Sequence, residues 1–75
     1  MHKMHKILDC VGTRCPFGVV KTAAALEKMN YGEILKISSD DHVFSKEISI
    51  WADNGNGKIV DIVYEKNQTI VYIKK

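Results

Sequence analysis

The only proline in the sequence constrains how the first half of the chain folds. Pro16 follows a short loop that contains Gly12, and the apolar and small residues after it recur at helical spacing. Proline is favoured at the first helical position, because its missing N–H would have no partner there. The sequence therefore predicts a strand that ends near Leu8, a glycine loop, and a helix over residues 16–30.

Cys15 falls at the N-cap of this predicted helix, beside Arg14. A helix N-terminus presents free N–H groups and the positive end of the helix dipole. Both favour the thiolate form of a cysteine, and Arg14 adds a second positive influence. We therefore predict that Cys15 is a reactive thiol that faces solvent, with Arg14 as its electrostatic helper. The alternative is a small buried cysteine beside a helix-starting proline.

The pattern inside this helix predicts which side faces the core. The core-facing stripe comprises Val19, Ala23, Leu26 and Met29, with Val20 beside it. The solvent face carries Lys21, Ala25 and Lys28. Asn30 or Gly32 would supply the left-handed residue that ends the helix.

Three further strands and one further helix are predicted from the remaining residues. The strands cover residues 33–39, 58–64 and 69–73, and the last two are joined by a short polar turn that favours an antiparallel hairpin. The helix would have Asp41 as its N-cap and His42 as its first residue. Its apolar stripe consists of Phe44, Ile48 and Trp51, with Trp51 as a core anchor, and the turn cluster at residues 53–57 would stop it.

The resulting order is βαβαββ, and the predicted fold class is α+β. A strand, a helix and another strand in this order usually pair the two strands in parallel. Two helices on one face of a four-stranded mixed sheet would make a two-layer sandwich. A chain of 75 residues predicts a single domain over 1–75 with a thin core. Any chemistry should therefore sit at the surface and be completed by a partner.

Composition and charge argue against two classes of binding partner, nucleic acids and membranes. The net charge of +2 is too small, and the basic residues too interleaved with acids, to predict direct nucleic-acid binding. No apolar run approaches the roughly 20 residues that span a membrane, and the first residues lack the features of a signal peptide. We expect a cytoplasmic protein with reduced cysteines, no cofactor and no metal, because His2 and His5 have no further ligands nearby in sequence.

Cys10 is the second cysteine, and it admits two interpretations. It suits a small buried residue at the end of the first strand. Alternatively, it resolves a modified Cys15 or forms a redox-switch disulfide with it. Such a bond needs the two Cα atoms within roughly 7 Å, which a loop of this length can reach.

The motifs together resemble the TusA-like (SirA-like) family of small sulfur carriers. Leu8-Asp9, Gly12 and Cys15-Pro16 match the family's opening signature, which is Leu-Asp, a glycine, and Cys-Pro-x-Pro at a helix start. The stretch from Val19 to Thr22, the pair Ala25-Leu26, and later Asp41, Ile48 and Trp51 also match the family's pattern. The chain departs from that pattern at Gly18, where the family has its second proline, and at His42, where proline is common.

The resemblance implies a mechanism that depends on partner enzymes. Cys15 would accept sulfane sulfur as a persulfide from a sulfur-donor protein, either a cysteine desulfurase or a rhodanese-type enzyme. It would then deliver that sulfur to an acceptor sulfurtransferase, in tRNA thiolation or other sulfur metabolism. Two alternatives remain open: a non-catalytic interaction or regulatory module of the same fold, and a thiol–disulfide switch formed by Cys10 and Cys15.

Overall fold

The computed structural model describes residues 4–14 and 17–75. In that part of the chain, four strands and two helices follow one another in the predicted order. The elements are β1 (Lys6–Asp9), α1 (Phe17–Glu27), β2 (Ile34–Ser39), α2 (Phe44–Trp51), β3 (Lys58–Tyr64) and β4 (Thr69–Lys74). The predicted βαβαββ order is confirmed, and the strand boundaries lie within one residue of those predicted.

The four strands form one mixed sheet with the spatial order β1-β2-β4-β3. β1 pairs with β2 in parallel, while β4 is antiparallel to both β2 and β3. The carboxyl ends of β1 and β2 therefore lie at one end of the sheet, together with the β3–β4 hairpin. Chain segments that follow β1 and β2 begin side by side at this end, which we call the loop end.

One face of the central strands β2 and β4 carries buried side chains, and the helices pack against this face. In β2, Leu35, Ile37 and Ser39 are buried while the residues between them are half-buried. Val71 and Ile73 of β4 lie opposite Ile37 and Leu35 and are also buried. Helix residues Leu26, Phe44 and Ile48 belong to the same core cluster. The α+β sandwich, with both helices on one face of the sheet, is confirmed.

The face that α1 turns to the core is rotated from the predicted one. Gly18, Thr22 and Leu26 are buried, whereas Val20 is 58% exposed. Ala25, predicted to meet solvent, packs against the core. Thr22 tolerates burial because its hydroxyl donates to the Gly18 carbonyl oxygen at 2.8 Å.

The end of α1 also differs from the prediction. The regular helix ends at Glu27, and a tighter turn continues it, with the Met29 N–H donating to the Leu26 carbonyl at 3.0 Å. Gly32 has a φ of +92°, and no other residue type in the described chain has a positive φ. The left-handed residue is therefore Gly32, one of the two predicted candidates, and it leads the chain into β2.

Two predictions about α2 are wrong in detail. The helix begins at Phe44 rather than His42, and Val43 precedes it without a side-chain cap. Asp41 instead accepts the Val43 N–H at 3.1 Å and so closes the turn before the helix. Half-buried Trp51 packs against the core as predicted.

The turn cluster after Trp51 does not stop the helix at once. The helical path continues into Ala52–Asn56, and Gly55, with a non-helical φ of +91°, interrupts it inside the predicted turn cluster. The Asn56 side-chain amide donates to the Trp51 carbonyl oxygen at 2.8 Å. That bond satisfies a helix-end carbonyl and stabilises the additional turn.

None of the helices within residues 4–14 and 17–75 has the length and apolar character needed to cross a lipid bilayer.

Candidate functional site

The candidate site is the loop that joins β1 to α1 at the loop end of the sheet. Its described residues run from Cys10 to Arg14 and resume at Phe17. Cys15 and Pro16 lie outside the described residues, so the predicted N-cap position of Cys15 remains a prediction. The Phe17 N–H donates to the Arg14 carbonyl oxygen at 2.8 Å, which brings together the residues on either side of the Cys-Pro pair.

The first half of the loop is a tight hydrogen-bonded turn. The Thr13 N–H donates to the Cys10 carbonyl oxygen at 3.0 Å. Gly12 occupies the third position of this turn with a φ of +84°. A positive φ at that position is the requirement of a type II turn, and glycine meets it without steric cost. The local sequence therefore dictates the turn that leads to Arg14.

Two carboxylates fix this turn against the sheet. Asp9 accepts the Val11 N–H at 2.9 Å, and Asp40 accepts the Gly12 N–H at 2.9 Å. Asp40 follows β2, so its bond ties the loop to a strand in the interior of the sheet. Asp40 precedes the predicted N-cap Asp41, and its carboxylate holds the β1–α1 loop at Gly12.

Two cationic side chains lie on this segment and its helix. Arg14 is exposed, directly before Cys15. Lys21, from the second turn of α1, folds back so that its Nζ donates to Thr13 Oγ1 at 3.3 Å. Sequence analysis had assigned Lys21 only to the solvent face. The one sequence signal for this contact was that Lys21 lies in the second turn of the helix that follows the loop. The contact with Thr13 itself depends on the path of the loop, which the sequence pattern does not give.

Cys10 is fully buried at the end of β1, as the first of its two interpretations predicted. Its N–H donates to the Ser38 carbonyl oxygen at 2.7 Å, so it extends the pairing with β2. Burial raises the pKa of the Cys10 thiol, with Lys21 opposing and Asp9 reinforcing that rise. A protonated, buried thiol is a poor nucleophile, which argues against a resolving or redox-switch role.

Gly18, the departure from the family pattern, lies against the ring of Phe44 from α2. A Cβ at position 18 would stand 3.0 Å from both Cδ1 and Cε1 of that ring. Phe44 is only 2% exposed, so the ring has little room to move away. Glycine at this position therefore allows the beginnings of α1 and α2 to approach closely.

Exposed apolar side chains surround the loop. Phe17 is 62% exposed and Val20 is 58% exposed, one helical turn apart on α1. Val11 in the loop and Val43 before α2 are also exposed. Sequence analysis missed this apolar surface, because Phe17 was not assigned a face and Val20 was placed beside the buried stripe.

No group of three His, Cys, Asp or Glu side chains within residues 4–14 and 17–75 is arranged to hold a metal ion. His5 has a structural role, since its Nδ1 accepts the Ile34 N–H at 3.0 Å beside β1. His42 is exposed. The described residues therefore place a cationic side chain and an exposed apolar side chain on each side of the Cys-Pro pair: Arg14 and Val11 before it, Lys21 and Phe17 after it.

Comparison with known proteins gives consistent matches. The family model described as sulfurtransferase TusA matches residues 6–75. A protein from Methanocaldococcus jannaschii, named as a candidate sulfur carrier protein, is 34% identical over 93% of each chain. One from Aquifex aeolicus with the same kind of name is 37% identical over 97% of this chain, which spans only 37% of that relative's length.

A solved structure shares the fold. The crystal structure of a SirA-like protein from Desulfitobacterium hafniense superposes with a TM-score of 0.79, at 17% sequence identity. The match covers 93% of this chain and 96% of that one.

Proposed function

Because this chain belongs to the TusA family, we propose that it is a sulfur carrier and that Cys15 is the residue that carries the sulfur. The observation that carries the proposal is the surface character of the segment around Cys15. Arg14 before it and Phe17 after it are both exposed, and Lys21 reaches the same loop. Relatives named as candidate sulfur carriers support the same role.

The proposed reaction is a thiol–persulfide exchange that needs no further oxidant or reductant. The Cys15 thiolate attacks the outer sulfur of a donor persulfide, an S–S bond forms on Cys15, and the donor thiolate leaves. An acceptor thiolate then attacks the outer sulfur on Cys15 and restores the Cys15 thiolate. The donor would be a cysteine desulfurase or a rhodanese-type enzyme, the acceptor a sulfurtransferase, and the setting a cytoplasm that keeps thiols reduced.

The loop residues have distinct roles in this proposal. Arg14 and Lys21 stabilise the anionic thiolate and persulfide, because nearby positive charge lowers a thiol pKa. The carboxylates of Asp9 and Asp40 accept the backbone N–H groups of Val11 and Gly12 and hold that turn in place. The exposed apolar side chains offer contact area to a partner that brings its sulfur to the loop.

Intact-mass analysis tests the proposal. Reduced protein is incubated with a cysteine desulfurase plus cysteine, and separately with polysulfide, which supplies sulfane sulfur without a protein donor. We expect the wild type and Cys10→Ala to gain one sulfur atom and Cys15→Ser to gain none. If neither treatment adds sulfur to Cys15 while a verified carrier is loaded in parallel, the carrier proposal fails.

A second measurement separates the carrier from its two alternatives. The alkylation rate of Cys15 against pH should give a pKa below the free value of about 8.5, with one rapidly reacting thiol. Lys21→Gln should slow the reaction at neutral pH about twofold to fivefold, the range expected for one surface charge. An unreactive Cys15 would favour an interaction module, and joint loss of both thiols on mild oxidation would favour a redox switch.

A further inference from the structure

The end of the sheet opposite the β1–α1 loop holds a cavity of about 480 Å³. We call it the basic cavity, and its lining residues are Tyr31, Gly55, Asn56, Gly57, Lys58, Lys74 and Lys75. Lys74 is paired with Ile34 at the start of β2, whereas Cys10 bonds to Ser38 near its end. At about 3.3 Å per strand residue, the basic cavity lies more than about 13 Å along the sheet from the sulfur site.

The charged side chains that line the basic cavity are all positive. Three of its lining residues are lysines, and the described lining includes no carboxylate side chain. Lys58 and Lys74 are direct cross-strand partners at the ends of β3 and β4. Like charges in that position destabilise a sheet. Asp61, the nearest acidic residue along β3, lies opposite Tyr72 and does not line the cavity.

The third lysine has a structural role that the other two lack. Lys75 Nζ donates to the Met29 carbonyl oxygen at 2.7 Å and to that of Glu27 at 3.2 Å, so it caps the end of α1. The same ammonium group lies 5.3 Å from the centre of the Tyr31 ring. Lys75 and Tyr31 therefore form one wall of the basic cavity, held in place by the contacts of Lys75. The opposed pair Lys58 and Lys74 lies beside this wall.

We propose that the basic cavity binds a compact oligophosphate anion or a small ligand that carries one. Directly opposed strand residues have Cβ atoms about 4.5–5.5 Å apart, so two ammonium groups can converge on adjacent phosphates. A volume of 480 Å³ lies within the range of small-molecule sites. The opposed Lys58 and Lys74 are a local conflict in the sheet, and a bound anion would neutralise it.

Titration of the full chain with inorganic pyrophosphate at constant chloride concentration, followed by amide NMR shifts, tests this proposal. We expect saturable shifts at residues 55–58 and 74–75, and about tenfold weaker binding of orthophosphate. Lys74→Gln should weaken binding about tenfold, the loss expected for one charge-assisted contact. Lys66→Gln, in the distant β3–β4 hairpin, removes the same charge and should leave the affinity unchanged.

Lys58→Glu separates binding from folding. It should abolish pyrophosphate binding and raise the urea midpoint, because it replaces an opposed pair of like charges with a pair of opposite charges. Shifts that do not saturate, or that weaken equally in Lys66→Gln, would overturn the binding site. An unchanged or lowered midpoint in Lys58→Glu would remove the argument from charge repulsion. None of these outcomes depends on sulfur loading at Cys15.

Discussion

Replacing Gly18 with alanine tests the close approach of α1 and α2 beside the candidate site. The new Cβ would stand 3.0 Å from two carbons of the Phe44 ring. Overpacking of this kind typically costs about 1–3 kcal/mol. Alanine recovers at most about 1 kcal/mol of helix propensity, and less here, because Gly18 is the second residue of α1.

The two effects oppose each other, and the steric one should win. We expect Gly18→Ala to lower the free energy of unfolding by about 1 kcal/mol, which corresponds to about 4–8 °C in Tm for a domain of this size. Urea unfolding measures the change directly, provided that the slope of the transition is unchanged. Ala24→Gly, on an exposed position of the same helix, measures the propensity contribution without the contact.

A double-mutant cycle assigns the cost to the Phe44 ring. Phe44→Leu narrows the side chain, so Gly18→Ala should become neutral or stabilising in that background. The expected coupling between the two positions is about 1–2 kcal/mol. If Gly18→Ala stabilises the wild type, or if the two changes add within about 0.5 kcal/mol, the packing argument is refuted.

Two further predictions concern Cys10 and Asp40. Burial raises the pKa of Cys10, so the folded state keeps a proton that the unfolded chain releases. The free energy of unfolding should therefore fall as pH rises above about 8.5, relative to Cys10→Ala, and urea titrations across that pH range check the sign. Asp40→Ala removes the acceptor of the Gly12 N–H and should accelerate hydrogen exchange of that amide about fivefold, as expected for a bond worth about 1 kcal/mol. Asp53→Ala is the matched control on an exposed carboxylate, and unchanged Gly12 protection in Asp40→Ala would contradict the tether.

Strand positions could be predicted because their signal is local. Residues 34–39 alternate between half-buried and buried positions, and the buried ones include the apolar Leu35 and Ile37. The polar turn at residues 65–68 fixes how β3 returns to β4, and the Glu65 N–H donates to the Gln68 carbonyl oxygen at 2.8 Å there. In these segments the hydrophobic periodicity and the turn residues predict the same structure, so the prediction needs no knowledge of long-range contacts.

The orientation of α1 could not be predicted in the same way. Hydrophobicity favoured Val20 over Thr22 and Gly18 for the buried side, yet Gly18 is buried because the Phe44 ring fills the space beside it. A proline at position 18 would bring its own Cβ against the same ring. The reason for glycine therefore lies in a residue of the other helix, 26 positions away, and no local pattern contains it.

The same distinction between local signals and long-range contacts applies to the residues around the site. Cys10 is buried, as one of its two interpretations predicted, because a small residue at a strand end has a local interpretation. Asp40 and Lys21 were not recognised as loop contacts, because each reaches a residue whose position depends on the whole sheet. Arg14 and Cys15 were selected for their chemistry at a helix start, and their roles in sulfur transfer await the mass and alkylation measurements.

The bond from Asp40 to Gly12 has a consequence for any protein that docks at this loop. It joins the surface segment to the end of β2, so the segment's conformational freedom is lost once, when the chain folds. Under the proposed function, a sulfur donor and a sulfur acceptor would each meet the turn at Val11 and Gly12 already ordered. One surface would then serve two different partner proteins in succession, without the entropic cost of ordering this turn at each encounter.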